Sequence, residues 1–258
     1  MRKVSHKSSA RNRSPLTSIG SVRRIKQLRS ASRTQLNGEN MNLWLDATSL
    51  SAPLNMAVSK FPARKGNAPI SAGALRPVVD QKGFMFGGAQ AMWKTNGEDT
   101  FGYDEVTIII THLRTDNSGY GALMETYTPF WYAGEALAMT MYPGEVQGYS
   151  MGGVVNGSGL FSGVPFLNKT AAMATSLSRV LPFPEAITTS TNGNEPNLDS
   201  SSVGTFTGPF NSNYLYIGAR GANSVFYIGL IKSVIIMPKS HIQQETNGLS
   251  RMSFWSVK

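Results

Sequence analysis

Glu105-Val-Thr-Ile-Ile-Ile-Thr-His-Leu-Arg114 is the stretch on which the fold turns. Residues 106–111 are β-branched without a break, stiff at χ1 and suited to a pleated surface. Neither Gly nor Pro interrupts the run, which predicts a central strand. Outward from it, strands are predicted at Gly83–Gly87, Ala122–Tyr127, Ala136–Tyr142, Tyr149–Val155, Ala171–Val180 and Ala186–Thr191, separated by Gly, Pro or Asn clusters. Asn192-Gly193 is a hairpin signal, because both residues tolerate the positive φ of a tight turn. Asn213–Ala219, Ser224–Met237 and Arg251–Val257 complete the series, with Gly229 predicted to bulge or bend the second of these into two halves. Asn42–Ala47 alternates as a strand. The polar, Pro-bearing stretch 48–82 is long for a loop and is expected to hold short edge pieces packed on the body. Roughly ten to twelve short strands make an all-β, two-sheet sandwich or jelly roll the natural architecture.

Composition agrees. Of 258 residues only 15% are charged, while Gly (26) and Pro (13) punctuate the apolar runs. One sizeable domain accommodates this length once a non-globular tail is set aside. There is no cysteine, so disulfides and thiolate metal sites are excluded. No apolar run approaches the roughly eighteen residues of a membrane span, and the N-terminus lacks a secretory apolar segment.

The charge is localised. Residues 1–40 hold ten Lys and Arg, among them Arg2, Lys3, Arg11, Arg13, Arg23, Arg24, Lys26, Arg29 and Arg33, against Glu39 alone, a surplus of nine. Residues 41–258 carry fourteen basic and fourteen acidic residues, so the whole net charge of +9 lies in this leader. Such polarity speaks of partners, not of folding. The chain therefore divides into a basic arm, 1–40, and a β body, 41–258. Ile19, Val22, Ile25 and Leu28 recur at a spacing of three while Arg23, Arg24, Lys26 and Arg29 fill the other sides, predicting a short amphipathic helix within an otherwise extended arm. Four apolar positions make it marginal alone, so docking supplies its stability. A regular apolar stripe would be wasted on phosphates, which favours anchoring in a protein assembly over nucleic acid. A stripe without Trp or Phe disfavours a membrane surface. An Arg- and Ser-rich, acid-poor leader also resembles a mitochondrial transit peptide.

Tyr214-Leu-Tyr-Ile-Gly-Ala-Arg-Gly-Ala-Asn-Ser-Val-Phe-Tyr-Ile-Gly-Leu-Ile-Lys-Ser-Val-Ile-Ile236 resembles the late strands of laminin-G-like, concanavalin-A-like domains. Leu43-Trp-Leu-Asp46 resembles their opening strand, Phe86-Gly87-Gly88 the Phe-x-Gly that follows, and Asn192-Gly193 their turn. The resemblance covers residues 42 to about 245, in pieces. It implies a twisted jelly roll that binds glycans or proteins, as in phage head- or tail-associated proteins. It thereby implies a virion structural or attachment protein assembled in the host cytoplasm, with other assembly proteins and further copies of itself as partners through the arm and a cell-surface glycan as a partner of the body. Two alternatives are a viral jelly-roll coat protein whose arm binds the genome and a secreted glycan hydrolase.

Hydrolysis needs two carboxylates facing one bond. The Glu-x-Asp-x-x-Glu run of the family's hydrolytic branch is absent, and the adjacent pairs Glu98-Asp99 and Asp104-Glu105 alternate faces in a strand and read as solvated loop charges. No closely spaced Asp/Asn ligand cluster supports the family's calcium site, although Asn197 or Asp199 could give one oxygen. His6, His112 and His241 lie far apart and lack companion ligands, so no zinc site is expected. Gly157-Ser158-Gly159 lacks the strand-to-helix setting of a nucleophile elbow, and Gly157–Gly163 lacks the spacing and βαβ setting of a dinucleotide fingerprint; both read as turn glycines. No enzyme activity, metal or cofactor is expected. Trp93, Tyr120, Trp131 and Tyr132, beside Gly- and Asn-rich loops or a strand end, are the candidates for stacking on sugars, against a plainer role in core or interface packing.

Overall fold

A computed structural model describes residues 41–256, apart from 72, 82, 96–103, 117–118, 127–135, 143–144, 152–157, 163–168, 179, 181–186, 195–213 and 222–223. The arm residues 1–40 thus lie outside the described residues, as do Trp131, Tyr132, Glu98, Asp99, Asn197 and Asp199.

The strands are β1 (Leu43–Asp46), β2 (Ala63–Lys65), β3 (Val78–Asp80), β4 (Gly83–Gly87), β5 (Met92–Thr95), β6 (Glu105–Arg114), β7 (Gly121–Thr126), β8 (Ala136–Tyr142), β9 (Glu145–Met151), β10 (Ser158–Ser162), β11 (Thr170–Ser178), β12 (Ile187–Thr191), β13 (Tyr214–Ile217) and β14 (Ile228–Met237), followed by helix α1 (Gln243–Ser256). They form two sheets in which every described pairing is antiparallel. The eight-stranded sheet runs β12-β11-β6-β14-β1-β2, with β4 also on β14 and β3 on β4; the six-stranded sheet runs β10-β9-β8-β7-β13-β5. The chain is therefore the all-β, two-sheet sandwich its sequence implies.

β6 is central, between β11 and β14, and its alternation explains the layers. Val106, Ile108 and Ile110 point into the main core, where they meet Leu43, Leu45, Phe84, Phe86, Val234 and Ile236 of the same sheet and Met92, Leu123, Met124, Met139, Leu215 and Ile217 of the other. Ile109 points the opposite way, into a second apolar cluster with Met41, Ala174, Ile235, Met237 and Leu249. Both faces of β6 are covered, so its second-face residues Thr107, Ile109 and Thr111 are as fully buried as its core-facing ones, the two threonines through hydroxyl hydrogen bonds. The cover on the second face is α1.

That helix corrects the strand expected at Arg251–Val257. Among its described side chains, few apolar ones mark the buried side: Leu249, with Met252 half-buried beside it. Much of its contact runs through hydroxyls. Thr246 Oγ1 meets Thr188 Oγ1 at 2.7 Å, Ser250 Oγ meets Ser190 Oγ at 2.9 Å, and Ser253 Oγ meets Thr111 Oγ1 at 2.8 Å. A seam of this kind carries no 3.6-residue apolar signature, and the aromatic Phe254-Trp255 mimics a strand in sequence.

Three smaller expectations also change. β9 starts at Glu145, not Tyr149, because pairing with β8 on one side and β10 on the other carries the strand through Gly148. β14 starts at Ile228, and its irregularity falls between Ile231 and Ser233, not at Gly229. Gly229 instead permits a close approach: a Cβ there would lie 2.2 Å from the Leu113 carbonyl oxygen. Ser158 and Gly159 belong to β10, not to a turn. The Asn192-Gly193 turn is as expected, with φ of 54° and 86° and reciprocal 3.0 Å hydrogen bonds between Thr191 and Asn194. Short pieces do occupy 48–82, including β2 and β3. β2 is the outer edge of the eight-stranded sheet, exposed along its length, with Arg64 reaching back to Asp46 at 2.6 Å and lying 5.1 Å above the Trp44 ring.

Candidate functional site

Over β6, β11 and β12 the outer face of the eight-stranded sheet is covered by α1; the outer face of the six-stranded sheet carries no α-helix among the described residues. In β5, Met92 enters the core and Trp93 takes the opposite face; in β13, Leu215 and Ile217 enter the core and Tyr216 takes the opposite face. Trp93 and Tyr216 are direct cross-strand partners, and Tyr216 is in turn the partner of Glu125 on β7. Met124, partner of Ile217, is in the core, so Glu125 also faces outward. A row Trp93–Tyr216–Glu125 therefore crosses three adjacent strands, about 10 Å at the ordinary interstrand spacing. Both aromatics are half-buried.

Glu125 is the unusual member. Its side chain is 5% exposed. Oε1 accepts a 3.1 Å hydrogen bond from Arg220 Nε, and Oε2 is buried with no hydrogen-bond partner. Burial pushes its pKa up to about 7, against the opposing pull of the Arg220 guanidinium. Arg220 is held by a tight connection after β13. Gly218, at φ 81°, lies where a Cβ would come 2.3 Å from the Phe86 ring, and Arg220 and Ser224 exchange backbone hydrogen bonds of 2.8 and 3.2 Å. The Ile217-Gly218 step is thus required by packing, and it aims Arg220 back across the sheet at Glu125.

A second polar group lies between the sheets. His112 Nδ1 is 3.0 Å from Tyr227 Oη, the rings meet edge to face at 5.9 Å, and His112 Nε2 is buried without a partner. Burial, with Arg114 and Lys232 nearby, holds the imidazole neutral with a pKa of about 3, and burial raises the Tyr227 phenol well above its usual range. Both residues are fully enclosed, so this is a core pair, not a reaction centre. His241 is likewise structural: Nδ1 lies 2.8 Å from Thr107 Oγ1 at the start of α1. Glu105, expected as a solvated loop charge, instead stands in β6 and accepts hydrogen bonds from Ser178 and Ser240.

Of the aromatics chosen from sequence, Trp93 lies in the row. Tyr120 is 57% exposed, but it precedes β7 at the end far from Glu125, roughly 16 Å along the strand, and the two are not brought together. Sequence reasoning passed over Tyr216, Glu125 and Arg220. The alternation Leu215-Tyr216-Ile217 and a lone acid inside the apolar strand Ala122–Glu125 were signals within reach; the register that joins them was not.

No protein-family model matches the chain, and no curated protein matches it in sequence. Among solved structures, the Trypanosoma rangeli sialidase in complex with 2,3-difluoro-KDN is similar over 92% of this chain at 12% identity, with a TM-score of 0.57. This chain spans 39% of that sialidase. The Ruminococcus gnavus IT-sialidase CBM40 bound to alpha2,3 sialyllactose matches 57% of this chain and 83% of its own length at 12% identity and a TM-score of 0.46. The NanB sialidase from Streptococcus pneumoniae matches 64% of this chain and 27% of its own at 14% identity and 0.48. At these identities the likeness is one of fold alone, and it rests on the first comparison: the chain shares a β-sandwich architecture with part of that sialidase.

Proposed function

We propose that this protein is a non-catalytic attachment component of a virion-type assembly, whose basic arm holds it in the particle and whose laminin-G-like sandwich presents a binding face to glycan or protein. The observation that carries the reading is the relation of entry point to candidate face. Met41, where the arm meets the body, packs with Leu249 of α1 on the outer side of the eight-stranded sheet, whereas Trp93, Tyr216 and Glu125 lie on the outer side of the other sheet. A body held through its arm would turn that row away from its support. The confinement of the net charge to residues 1–40 supports the same division. Sialidases with a similar fold support a glycan as the bound partner, and no bond cleavage is assigned to this chain.

Photo-crosslinking groups placed at Val22 and Leu28 in the assembled particle test the reading. Protein adducts that persist in ~1 M salt are expected, because apolar docking is not screened. Nucleic-acid adducts that vanish as salt rises would instead make this the coat protein with a genome-binding arm.

A further inference from the structure

We infer that the row Trp93–Tyr216–Glu125 is a sugar subsite for an uncharged glycan unit, which donates a hydroxyl or amide hydrogen to Glu125 Oε2 while its ring face lies on the aromatic side chains. This rests on the glycan-binding reading of the preceding section and adds the ligand class and the residue that selects it. Three observations carry it. Oε2 is a buried acceptor without a partner, and such an atom leaves a hydrogen bond unmade that a bound donor would supply. The flanking positions on the same face, in strict register, are the half-buried rings of Tyr216 and Trp93, apolar platforms of pyranose width. The Arg220 charge already faces Glu125 Oε1, so the ionised pair is neutral and offers no net attraction to an acidic sugar.

The groups that face Glu125 among the described residues are Arg220 from the connection after β13 and Tyr216 from β13; its register partner on β8 is Ala138, which does not titrate. Acceptance of a hydrogen from the ligand at Oε2 calls for the ionised carboxylate. With the Glu125 pKa at about 7, the competent fraction rises about tenfold between pH 6 and pH 8, and the apparent affinity rises with it.

The test uses the full chain and immobilised panels of neutral oligosaccharides, built from galactose, glucose or N-acetylglucosamine, beside acidic ones such as sialyllactose and oligogalacturonate. Titration of the strongest neutral binder follows at pH 6, 7 and 8. Neutral glycans should be preferred, with binding tightening about tenfold across that range; Glu125→Gln should weaken binding at pH 8 at least tenfold and flatten the pH profile. Trp93→Ala should weaken binding at every pH while leaving the profile's midpoint in place, so the proposal stays testable if Glu125→Gln does not fold. A preference for acidic sugars, binding that weakens as pH rises, or full affinity in folded Glu125→Gln would overturn the subsite while leaving glycan binding intact. No binding of any glycan by the folded wild type would overturn the glycan reading itself.

Discussion

Glu125 and His112 make opposite demands on the acidity of the medium. Glu125 has a folded pKa of about 7 against 4.5 in the open chain, so the native state takes up the proton first. Its contribution is complete below about pH 4.5 and is lost as pH rises through 7. His112, at about 3 against 6.5, behaves in reverse, because the open chain takes up the proton first and stability drains away as pH falls below 6.5. Urea unfolding of wild type and Glu125→Gln should therefore diverge between pH 4.5 and 8, the wild type losing on the order of 3 kcal/mol relative to the variant; parallel curves would mean that the carboxyl is hydrated. Neither demand is legible in the sequence, where Glu125 is one acid in an apolar strand and His112 a lone histidine. Asn192-Gly193, by contrast, was legible because its requirement for positive φ is local. Burial and register depend on which strands become neighbours, and a single sequence does not order them.

The strands were readable to the extent that their environments were ordinary. β6 and β8 fall on the expected boundaries. α1 was misread because the seam it forms is largely polar. Ser250 shows what that seam contributes: its Oγ accepts a 2.8 Å hydrogen bond from the Gly193 N–H and meets Ser190 Oγ at 2.9 Å, so one oxygen ties the helix to the turn after β12. Ser250→Ala would leave a buried amide unsatisfied and should cost about 1–3 kcal/mol in chemical denaturation. A cost near zero would show that water replaces the hydroxyl. The broken ladder between Ile231 and Ser233 was also out of reach, because the glycine two positions earlier drew the expectation while the shift itself falls at Lys232. Lys232 Nζ donates a 3.0 Å hydrogen bond to Thr170 Oγ1, an interaction between distant parts of the chain.

For the molecule as a whole, charge and composition told more about organisation than about chemistry. A chain without residues 1–40 would carry equal numbers of acidic and basic residues. If arm and body are separable, its melting temperature should lie within ~4 °C of the full chain, a difference of about 1 kcal/mol for a domain of this size; a larger fall would show that the leader completes the body. The edge at β2 has a consequence for crowding. Open strand rims are templates on which like molecules zip together, and lysine and arginine on such rims oppose it. Arg64 and Lys65 occupy this one. Many copies set shoulder to shoulder would repel at this border, and each would keep its own outline where an uncharged border would invite fusion into a continuous ribbon.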